Sequence, residues 1–275
     1  MSNEARPAPG PLSAVEPWDL VSEGYTLEAA NVMLPFARHA IALTELPPSA
    51  RVLDVATGPG VLALELASRV QRVDAVDFSP AMLEQLERQR RALGIENVFA
   101  RQADGQALPF PDASFDAAFS MFGLMFFPDR DKGFAELQRT LRPGGVAVVS
   151  SWAPVDQSPL MQLMFGALRA ADPSRAAPQR NLLNLENPEV FVAELKAAGF
   201  QDVRVEPHTH AVFIDDPASW WETMSRGSAP LVMLQHKLGP SEWQRQSALA
   251  KAYLAERVTR PGSFSTTAYL GFGRR

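Results

Sequence analysis

The residues best suited to chemistry lie close together, between Arg51 and Gly60. Aliphatic side chains predict a short buried strand here, Asp54 stands near its carboxyl end, and Gly58 and Gly60 predict a tight turn into a helix. Such a turn brings backbone N–H groups and the positive end of the helix to one point, where nucleotide-like ligands bind. The stretch therefore predicts a binding site for a ligand of the nucleotide type.

Two kinds of ligand fit this arrangement. Gly58, Gly60 and Ala63 have the G-x-G-x-x-A spacing of dinucleotide sites. Asp77 ends the next predicted strand, where an acid would meet ribose hydroxyls, and this favours an NAD(P)-dependent oxidoreductase. Asp54 favours the second kind, because a carboxylate at the turn repels a pyrophosphate and attracts an ammonium group. S-adenosylmethionine carries such an ammonium group beside its ribose and adenine, so these residues leave both ligands open.

Strands and helices alternate through the middle of the chain. Strands are predicted at 51–55, 72–77, 97–102, 116–121 and 146–152, with helices at 61–70, 80–93 and 131–141 between them. This alternation indicates an α/β fold in which a parallel sheet carries helices on both faces. Ser79 and Pro80 predict the N-cap and first residue of the second of these helices.

The flanking segments complete the predicted domain organisation. Residues 1–12 are rich in proline and polar groups and are expected to be disordered. A helical cap over 13–48, broken near Gly24 and at Pro35, precedes the main domain over 49–275. Helical insertions at about 153–186 and 217–258, before a final strand starting at Ser263, are candidates for a lid over the ligand.

Composition excludes several classes of function. The 275 residues include no cysteine, which rules out disulfides, thiolate metal sites and cysteine nucleophiles, and no metal is expected. The formal net charge of -5 and the lack of a basic stripe argue against nucleic-acid binding. No stretch of about 18 apolar residues predicts a membrane span, so the expectation is a cytoplasmic protein.

Four segments, taken in order, resemble the motifs of class I S-adenosylmethionine-dependent methyltransferases. They are 52–60, 76–83, 103–116 and 141–145. The resemblance is strongest to the ubiquinone/menaquinone C-methyltransferase-like group that methylates small molecules. It implies a Rossmann-like, mostly parallel seven-stranded sheet with an antiparallel final strand, helical lid elements and S-adenosyl-L-methionine as cofactor, with S-adenosyl-L-homocysteine as product.

The same resemblance implies a role for each matching residue. Asp54 holds the amino group of the cofactor, Asp77 binds both ribose hydroxyls, and Asp104 accepts a hydrogen bond from the adenine amino group, with Gly105 or Gln106 alongside. The glycines let the backbone approach the methionine portion, and Ser120 or Met121 faces the cofactor from the end of the fourth strand. The implied cofactor contacts are Tyr25, Asp54, Ala56, Gly58, Gly60, Asp77, Phe78, Met82, Ala103, Asp104, Gly105 and Ser120.

The acceptor side rests on apolar residues. Methyl transfer from a sulfonium is an in-line displacement, so positioning in a dry pocket supplies much of the acceleration. Aromatic side chains that follow the fourth strand or lie in the flanking helices are hypothesised to line this pocket: Trp18, Phe122, Phe126, Trp220 and Trp221. His208, His210 and His236 are candidates for a general base, should the acceptor need one.

The expected function is methyl transfer from S-adenosylmethionine to the oxygen or carbon of a small, mainly apolar acceptor, of aromatic, quinone or polyketide type. The alternatives are an NAD(P)-dependent oxidoreductase and a binding module that holds the cofactor without methylating anything. The expected partner is the small-molecule acceptor, with no nucleic acid, and the apolar late helices leave a homodimer contact open.

Overall fold

A seven-stranded sheet forms the centre of the molecule. The structure, a computed structural model, describes residues 10–28, 32–178 and 184–275. The strands are β1 (Arg51–Val55), β2 (Arg72–Asp77), β3 (Val98–Gln102), β4 (Phe115–Met121), β5 (Leu141–Trp152), β6 (Gln201–Ile214) and β7 (Gly262–Arg274). They lie in the order β3-β2-β1-β4-β5-β7-β6, with β1 to β5 parallel and β7 antiparallel to both neighbours. The predicted Rossmann-like fold is confirmed.

Helices cover both faces of this sheet. Within the described residues they are α1 (Glu16–Glu28), α2 (Leu34–Ala42), α3 (Val61–Leu66), α4 (Pro80–Ala92), α5 (Arg130–Thr140), α6 (Pro159–Ala171), α7 (Pro188–Ala197), α8 (Pro217–Gly227), α9 (Ala229–Leu238) and α10 (Pro240–Arg257). Successive residues of β1 point to opposite faces: Val52 packs with Phe36 and Leu62, whereas Leu53 packs with Phe134 on the other side. Burial on both faces explains why β1 is mostly apolar.

The strand order places a crevice beside β1. The carboxyl ends of parallel strands meet at one edge of the sheet, and the order reverses direction between β1 and β4. Ligands of open α/β sheets bind outside this reversal point. Ser79 fixes one side of it, because its Oγ accepts the Met82 N–H at 3.1 Å and starts α4 directly after β2, as predicted.

The N-terminal segment lies against this crevice. Disorder was predicted for residues 1–12. Residues 1–9 fall outside the described residues, but the prediction is wrong for its last residues, because Pro11–Ser13 form a short 3-10 helix. The Trp18 Nε1–H donates to the Leu12 carbonyl at 2.9 Å, and the Ser13 hydroxyl donates to the Phe126 carbonyl at 2.7 Å. These two bonds hold the segment against α1 and the loop after β4.

The predicted helix break at Gly24 is wrong. Helix α1 runs through this position, and Gly24 is needed for packing, because a Cβ there would collide with the Arg226 carbonyl at the end of α8. The close approach at Gly24 joins α1 to α8, and α9 packs against both helices. The division into a cap and inserted lid segments stays a prediction, although α1, α2, α6 and α8 to α10 fall within them. No helix in the described part of the chain is long and apolar enough to cross a membrane.

Substituting Gly24 with alanine is expected to destabilise the protein by about 1 to 3 kcal/mol, because the added methyl overpacks the α1–α8 contact. Chemical denaturation followed by circular dichroism measures this change. The matched control is Glu23→Ala, which alters the exposed neighbouring residue on the same helix and should change stability by less than about 0.5 kcal/mol. Equal effects of the two substitutions would contradict the packing role assigned to Gly24.

Candidate functional site

A cavity of about 330 Å³ opens at the carboxyl edge of the sheet, beside β1, β2 and β4. A cavity of this size holds a small organic ligand. Its walls are formed by Leu12, Ser13, Trp18, Tyr25, Ala56, Gly58, Asp77, Phe78, Met82, Ala103, Asp104, Gly105, Gln106, Met121, Phe122, Gly123, Phe126, Phe127 and Pro128. We call this space the nucleoside cavity, after the ligand type that its sequence motifs predict.

Asp77 is the charged centre of the nucleoside cavity. Its side chain is 5% exposed, its Oδ2 accepts the Gly58 N–H at 2.8 Å, and its Oδ1 accepts the Ser79 N–H at 2.9 Å. Burial raises the pKa of Asp77 to about 6, although these backbone hydrogen bonds oppose the shift. Both carboxylate oxygens still have lone pairs for further donors. The geometry suits two adjacent hydroxyls of a ligand.

Asp54 lies deeper, beside a small chamber of about 40 Å³ that it shares with Tyr25, Gly58 and Phe122. The carboxyl is 1% exposed, and the Thr57 hydroxyl donates to its Oδ2 at 2.6 Å. Burial raises the pKa of Asp54 to about 7, and the nearby negative charge of Asp77 adds to the shift. A buried carboxyl with such a pKa is poised to bind a cationic group.

The turn between β1 and α3 has three residues in the left-handed region. Ala56, Gly58 and Gly60 have φ values of 56°, 55° and 86°. Ala56 and Gly58 line the nucleoside cavity, and Tyr25 lies over Gly58. Gly60 does not line it, although it was implied as a cofactor contact. It serves packing instead, because a Cβ at Gly60 would collide with the Leu86 side chain on α4.

The far end of the nucleoside cavity is formed by residues after β2 and β3. The structure places Phe78, Met82, Ala103, Asp104 and Gly105 in this wall. Gln106, expected beside Asp104 as the alternative to Gly105, also lies in this wall and organises the loop.

Gln106 connects the loop after β3 to the N-terminus of α5. Its N–H donates to Asp104 Oδ1 at 2.8 Å, and its Oε1 accepts the Asp129 N–H at 2.9 Å. Its place directly after Asp104 and Gly105 was the available signal.

Ser120 does not line the cavity, contrary to the expectation. Its side chain is fully buried, and its Oγ accepts the Leu124 N–H at 3.2 Å. Since strand side chains alternate, the next residue, Met121, enters the wall instead. Phe122 follows with a left-handed φ of 59° and donates its N–H to Ser150 Oγ at 2.9 Å. This turn directs the Phe122 ring toward the ligand edge.

A second cavity, of about 290 Å³, adjoins the first. We call it the apolar cavity, because no charged side chain or histidine is among the described residues that line it. Its wall is formed by Leu12, Trp18, Tyr25, Val32, Met33, Phe122, Met125, Phe126, Trp152, Leu160, Met161, Met164, Phe165, Leu168, Trp220, Met224, Gly227, Ser228, Ala229, Pro230, Leu231 and Thr266. Tyr25 and Phe122 line both cavities and the chamber beside Asp54, and therefore mark their junction.

Four of the five aromatic residues hypothesised for the acceptor pocket line the apolar cavity. They are Trp18, Phe122, Phe126 and Trp220. Trp221 lies elsewhere, which corrects that part of the hypothesis. It is 1% exposed in the core of the late helices, where its Nε1–H donates to Ser247 Oγ at 2.7 Å and its ring stacks on Trp243. Consecutive residues on a helix point about 100° apart, and here Trp220 faces the cavity while Trp221 points into the helical core.

None of the three candidate histidines lines either cavity. His208 stacks on His39 with ring centroids 3.9 Å apart, and burial lowers its pKa. His210 has its Nε2 2.9 Å from the Val32 carbonyl, and His236 is exposed on α9. Two of these side chains therefore hold α2 and the segment before it against β6. The structure gives no support to a role for any of them as the base.

The loop after β4 and the N-terminal segment supply the residues that sequence reasoning missed. They are Leu12, Ser13, Gly123, Phe127 and Pro128. The loop residues had a usable signal, since they follow the strand end nearest the reversal point. The N-terminal pair had none, because its contact with Phe126 joins residues more than a hundred positions apart.

Comparison with known proteins points to one enzyme family. A family model described as a methyltransferase domain matches residues 52–145. A demethylmenaquinone methyltransferase of Thermus thermophilus is 36% identical over 199 residues, which cover 65% of this chain and 86% of that protein. An uncharacterized protein of Mycobacterium tuberculosis is 38% identical over 128 residues, and the match spans only 46% of that protein's length.

A solved structure shares the architecture. The phosphoethanolamine N-methyltransferase 2 of Haemonchus contortus, in complex with phosphomonomethylethanolamine and S-adenosylhomocysteine, superposes with a TM-score of 0.58 at 19% identity. The match covers 94% of this chain and 57% of that one. At this identity the likeness establishes a shared fold and leaves the activity to be argued from the site.

Proposed function

Because this chain belongs to the class I S-adenosylmethionine-dependent methyltransferases, we propose that it transfers a methyl group from S-adenosylmethionine to a small, mainly apolar acceptor. One observation carries the proposal. The nucleoside cavity and the apolar cavity meet at Tyr25 and Phe122, beside the chamber of Asp54. A cofactor in the first and an acceptor in the second would have their reacting groups together at this junction.

The donor groups of the nucleoside cavity fit S-adenosylmethionine. Asp77 would bind the ribose hydroxyls, and the wall formed by Phe78, Met82 and Asp104 would hold the adenine. Asp54 would bind the amino group, directly or through water, and this cation would offset the burial that raises its pKa. When bound, the cofactor supplies an electrophilic methyl group on a positively charged sulfur.

The wall of the apolar cavity favours a neutral acceptor. Methionine and aromatic side chains form an adaptable apolar surface and exclude water, so a charged substrate would lose its hydration there without compensation. Neither a carboxylate nor an imidazole lies among its described wall residues. This favours an acceptor that is already nucleophilic, such as a phenolic or enolic oxygen or an electron-rich ring carbon.

The relatives support an aromatic acceptor of quinone type. The name of the T. thermophilus protein specifies demethylmenaquinone, and a relative in Citrifermentans bemidjiense, 34% identical over 185 residues, is named a ubiquinone/menaquinone C-methyltransferase. Half of the apolar cavity wall comes from α6, α8 and α9, which lie in the late part of the chain. The acceptor is therefore proposed as a ring compound of this chemical class.

The test is a binding comparison followed by product detection. In calorimetry we expect S-adenosylhomocysteine to bind and NAD not to bind, because a pyrophosphate beside the carboxylate of Asp54 is repelled. Incubation with S-adenosylmethionine and a panel of dihydroxynaphthalenes should then yield products heavier by one methylene in mass spectrometry. Binding of NAD alone would favour the oxidoreductase alternative that the Gly58, Gly60 and Ala63 spacing allows. Binding without any product would favour a non-catalytic module.

A further inference from the structure

Thr266 carries a buried hydroxyl for which the described part of the chain provides no hydrogen bond. The residue lies on β7, is fully buried, and its Oγ1 has no partner within the described part of the chain. Its neighbour Thr267 behaves in the ordinary way, because its Oγ1 lies 2.9 Å from Thr209 Oγ1 and donates to the Gln157 carbonyl at 3.1 Å. Since buried hydroxyls are normally paired, the orphaned one needs an explanation.

Thr266 is one of the residues that form the wall of the apolar cavity. Alternation along β7 puts Thr266 on the same face as Ala268, which packs in the core cluster of Phe36 and Phe122, and on the opposite face from Thr267. In a wall formed almost wholly by hydrocarbon and sulfur atoms, this is a fully buried polar group with spare hydrogen-bonding capacity. A valine would fill the same volume without an unpaired group, so the hydroxyl adds nothing to the fold itself.

We propose that the hydroxyl of Thr266 hydrogen-bonds an oxygen atom of the methyl acceptor. The proposal rests on the proposed function, since it takes the apolar cavity as the acceptor site. Thr266 lines the apolar cavity but neither the nucleoside cavity nor the chamber beside Asp54. The bonded oxygen therefore lies away from the junction at Tyr25 and Phe122, where the methyl group arrives.

This geometry defines the acceptor more closely. It is a ring compound with an oxygen function, as a hydroxyl or carbonyl, remote from the atom that is methylated. Quinols and dihydroxy-aromatic compounds meet this requirement, because one oxygen can bond Thr266 while another oxygen, or a ring carbon that it activates, faces the cofactor. Thr266 acts as a positioning residue, and it sets which end of the ring points at the junction.

The experiment compares two probes that differ by one oxygen. Binding of 2-naphthol and of naphthalene is measured by equilibrium dialysis on protein saturated with S-adenosylhomocysteine. In Thr266→Val the affinity ratio of 2-naphthol to naphthalene should fall about five- to tenfold, the value of one neutral hydrogen bond. Thr266→Ser keeps a hydroxyl and should keep most of the ratio. Thr267→Val removes a hydroxyl that bonds the protein and should leave the ratio unchanged.

Stability separates a ligand contact from a structural role. Without acceptor, Thr266→Val should unfold at the same temperature as the wild type or higher, whereas Thr267→Val should unfold at a lower temperature, because it breaks existing bonds. An unchanged affinity ratio in Thr266→Val, marked destabilisation of that variant, or failure of either probe to bind the wild type would overturn the proposal. Failure of S-adenosylhomocysteine itself to bind would instead overturn the proposed function.

Discussion

Replacing Asp77 with asparagine is expected to weaken S-adenosylhomocysteine binding by about 100-fold or more. Each hydrogen bond from a ribose hydroxyl to the carboxylate is worth about 1.5 to 3 kcal/mol, and the amide replaces one of the two acceptor oxygens with a donor. The change also removes one of the acceptors for the Gly58 and Ser79 N–H groups, which shape the glycine turn. Calorimetric titration of the purified variant measures the loss.

The control for this substitution lies on the same strand. Asp74→Asn removes a carboxylate that is bound to Arg72, at 2.6 Å, and does not line the nucleoside cavity. The affinity of Asp74→Asn for S-adenosylhomocysteine should stay within about threefold of the wild-type value, because Asp74 is paired with Arg72 away from the ligand. Circular dichroism of both variants checks that they fold. If Asp77→Asn bound S-adenosylhomocysteine as tightly as Asp74→Asn does, the assignment of Asp77 to the ribose would be wrong.

Cofactor affinity is expected to fall steeply in acid. Burial raises the pKa of Asp54 to about 7 and of Asp77 to about 6. In the proposed binding mode the cofactor binds the charged forms of both groups. Relative to pH 8, S-adenosylhomocysteine affinity should be lower by about 20-fold at pH 6 and about a thousandfold at pH 5, as first one carboxyl and then both become protonated. Calorimetric titrations between pH 5 and pH 8 measure how S-adenosylhomocysteine affinity changes with pH.

The stability of the ligand-free protein should change in the opposite direction. Both carboxyls have a folded pKa above the ordinary value of 3.8, so between about pH 4 and 7 the folded state binds more protons than the unfolded state. The stability they contribute is fully present below about pH 4 and is lost as the pH rises to about 7. By linkage the loss is roughly 4 kcal/mol for Asp54 and roughly 3 kcal/mol for Asp77.

Asp54→Asn is the variant that checks both trends. It should flatten the pH dependence of stability and raise the unfolding temperature at pH 8, while it weakens cofactor binding at the same pH. Thr57 can still donate to the amide oxygen, so the local turn should persist. A variant that was less stable than the wild type at pH 8 would show that the carboxylate serves the fold, and would contradict the role in cation binding.

The candidate site could be predicted best where its residues lie close together in the sequence. Asp54, Gly58 and Asp77 could be assigned because a strand, a turn and the next strand place them together by local geometry. The mostly parallel seven-stranded sheet with its antiparallel final strand was predicted from the alternation of strands and helices and from the family resemblance. Such features depend on short stretches of chain, in which residue type and spacing are enough.

Distant contacts and side-chain directions were not accessible in the same way. Trp220 and Trp221 are equivalent in the sequence, and only the rotation of α8 against its neighbours decides which faces the apolar cavity. Gly24 is typical of a helix break in the sequence, and only the folded structure shows that it is needed for close packing against Arg226. The hydroxyl of Thr266 is conspicuous only because the folded chain leaves it unpaired. These outcomes depend on tertiary packing, which spacing along the chain does not encode.

The shared wall between the two cavities divides the positions open to engineering into two sets. Trp18 and Tyr25 line both the nucleoside cavity and the apolar cavity. With the cofactor and the acceptor placed as proposed, a substitution at either residue that widens the acceptor range should also change cofactor affinity. Side chains of α6 such as Met161, Met164 and Phe165 contact the apolar cavity alone. Saturation libraries restricted to α6 are therefore expected to widen the range of acceptors without changing the affinity for the methyl donor.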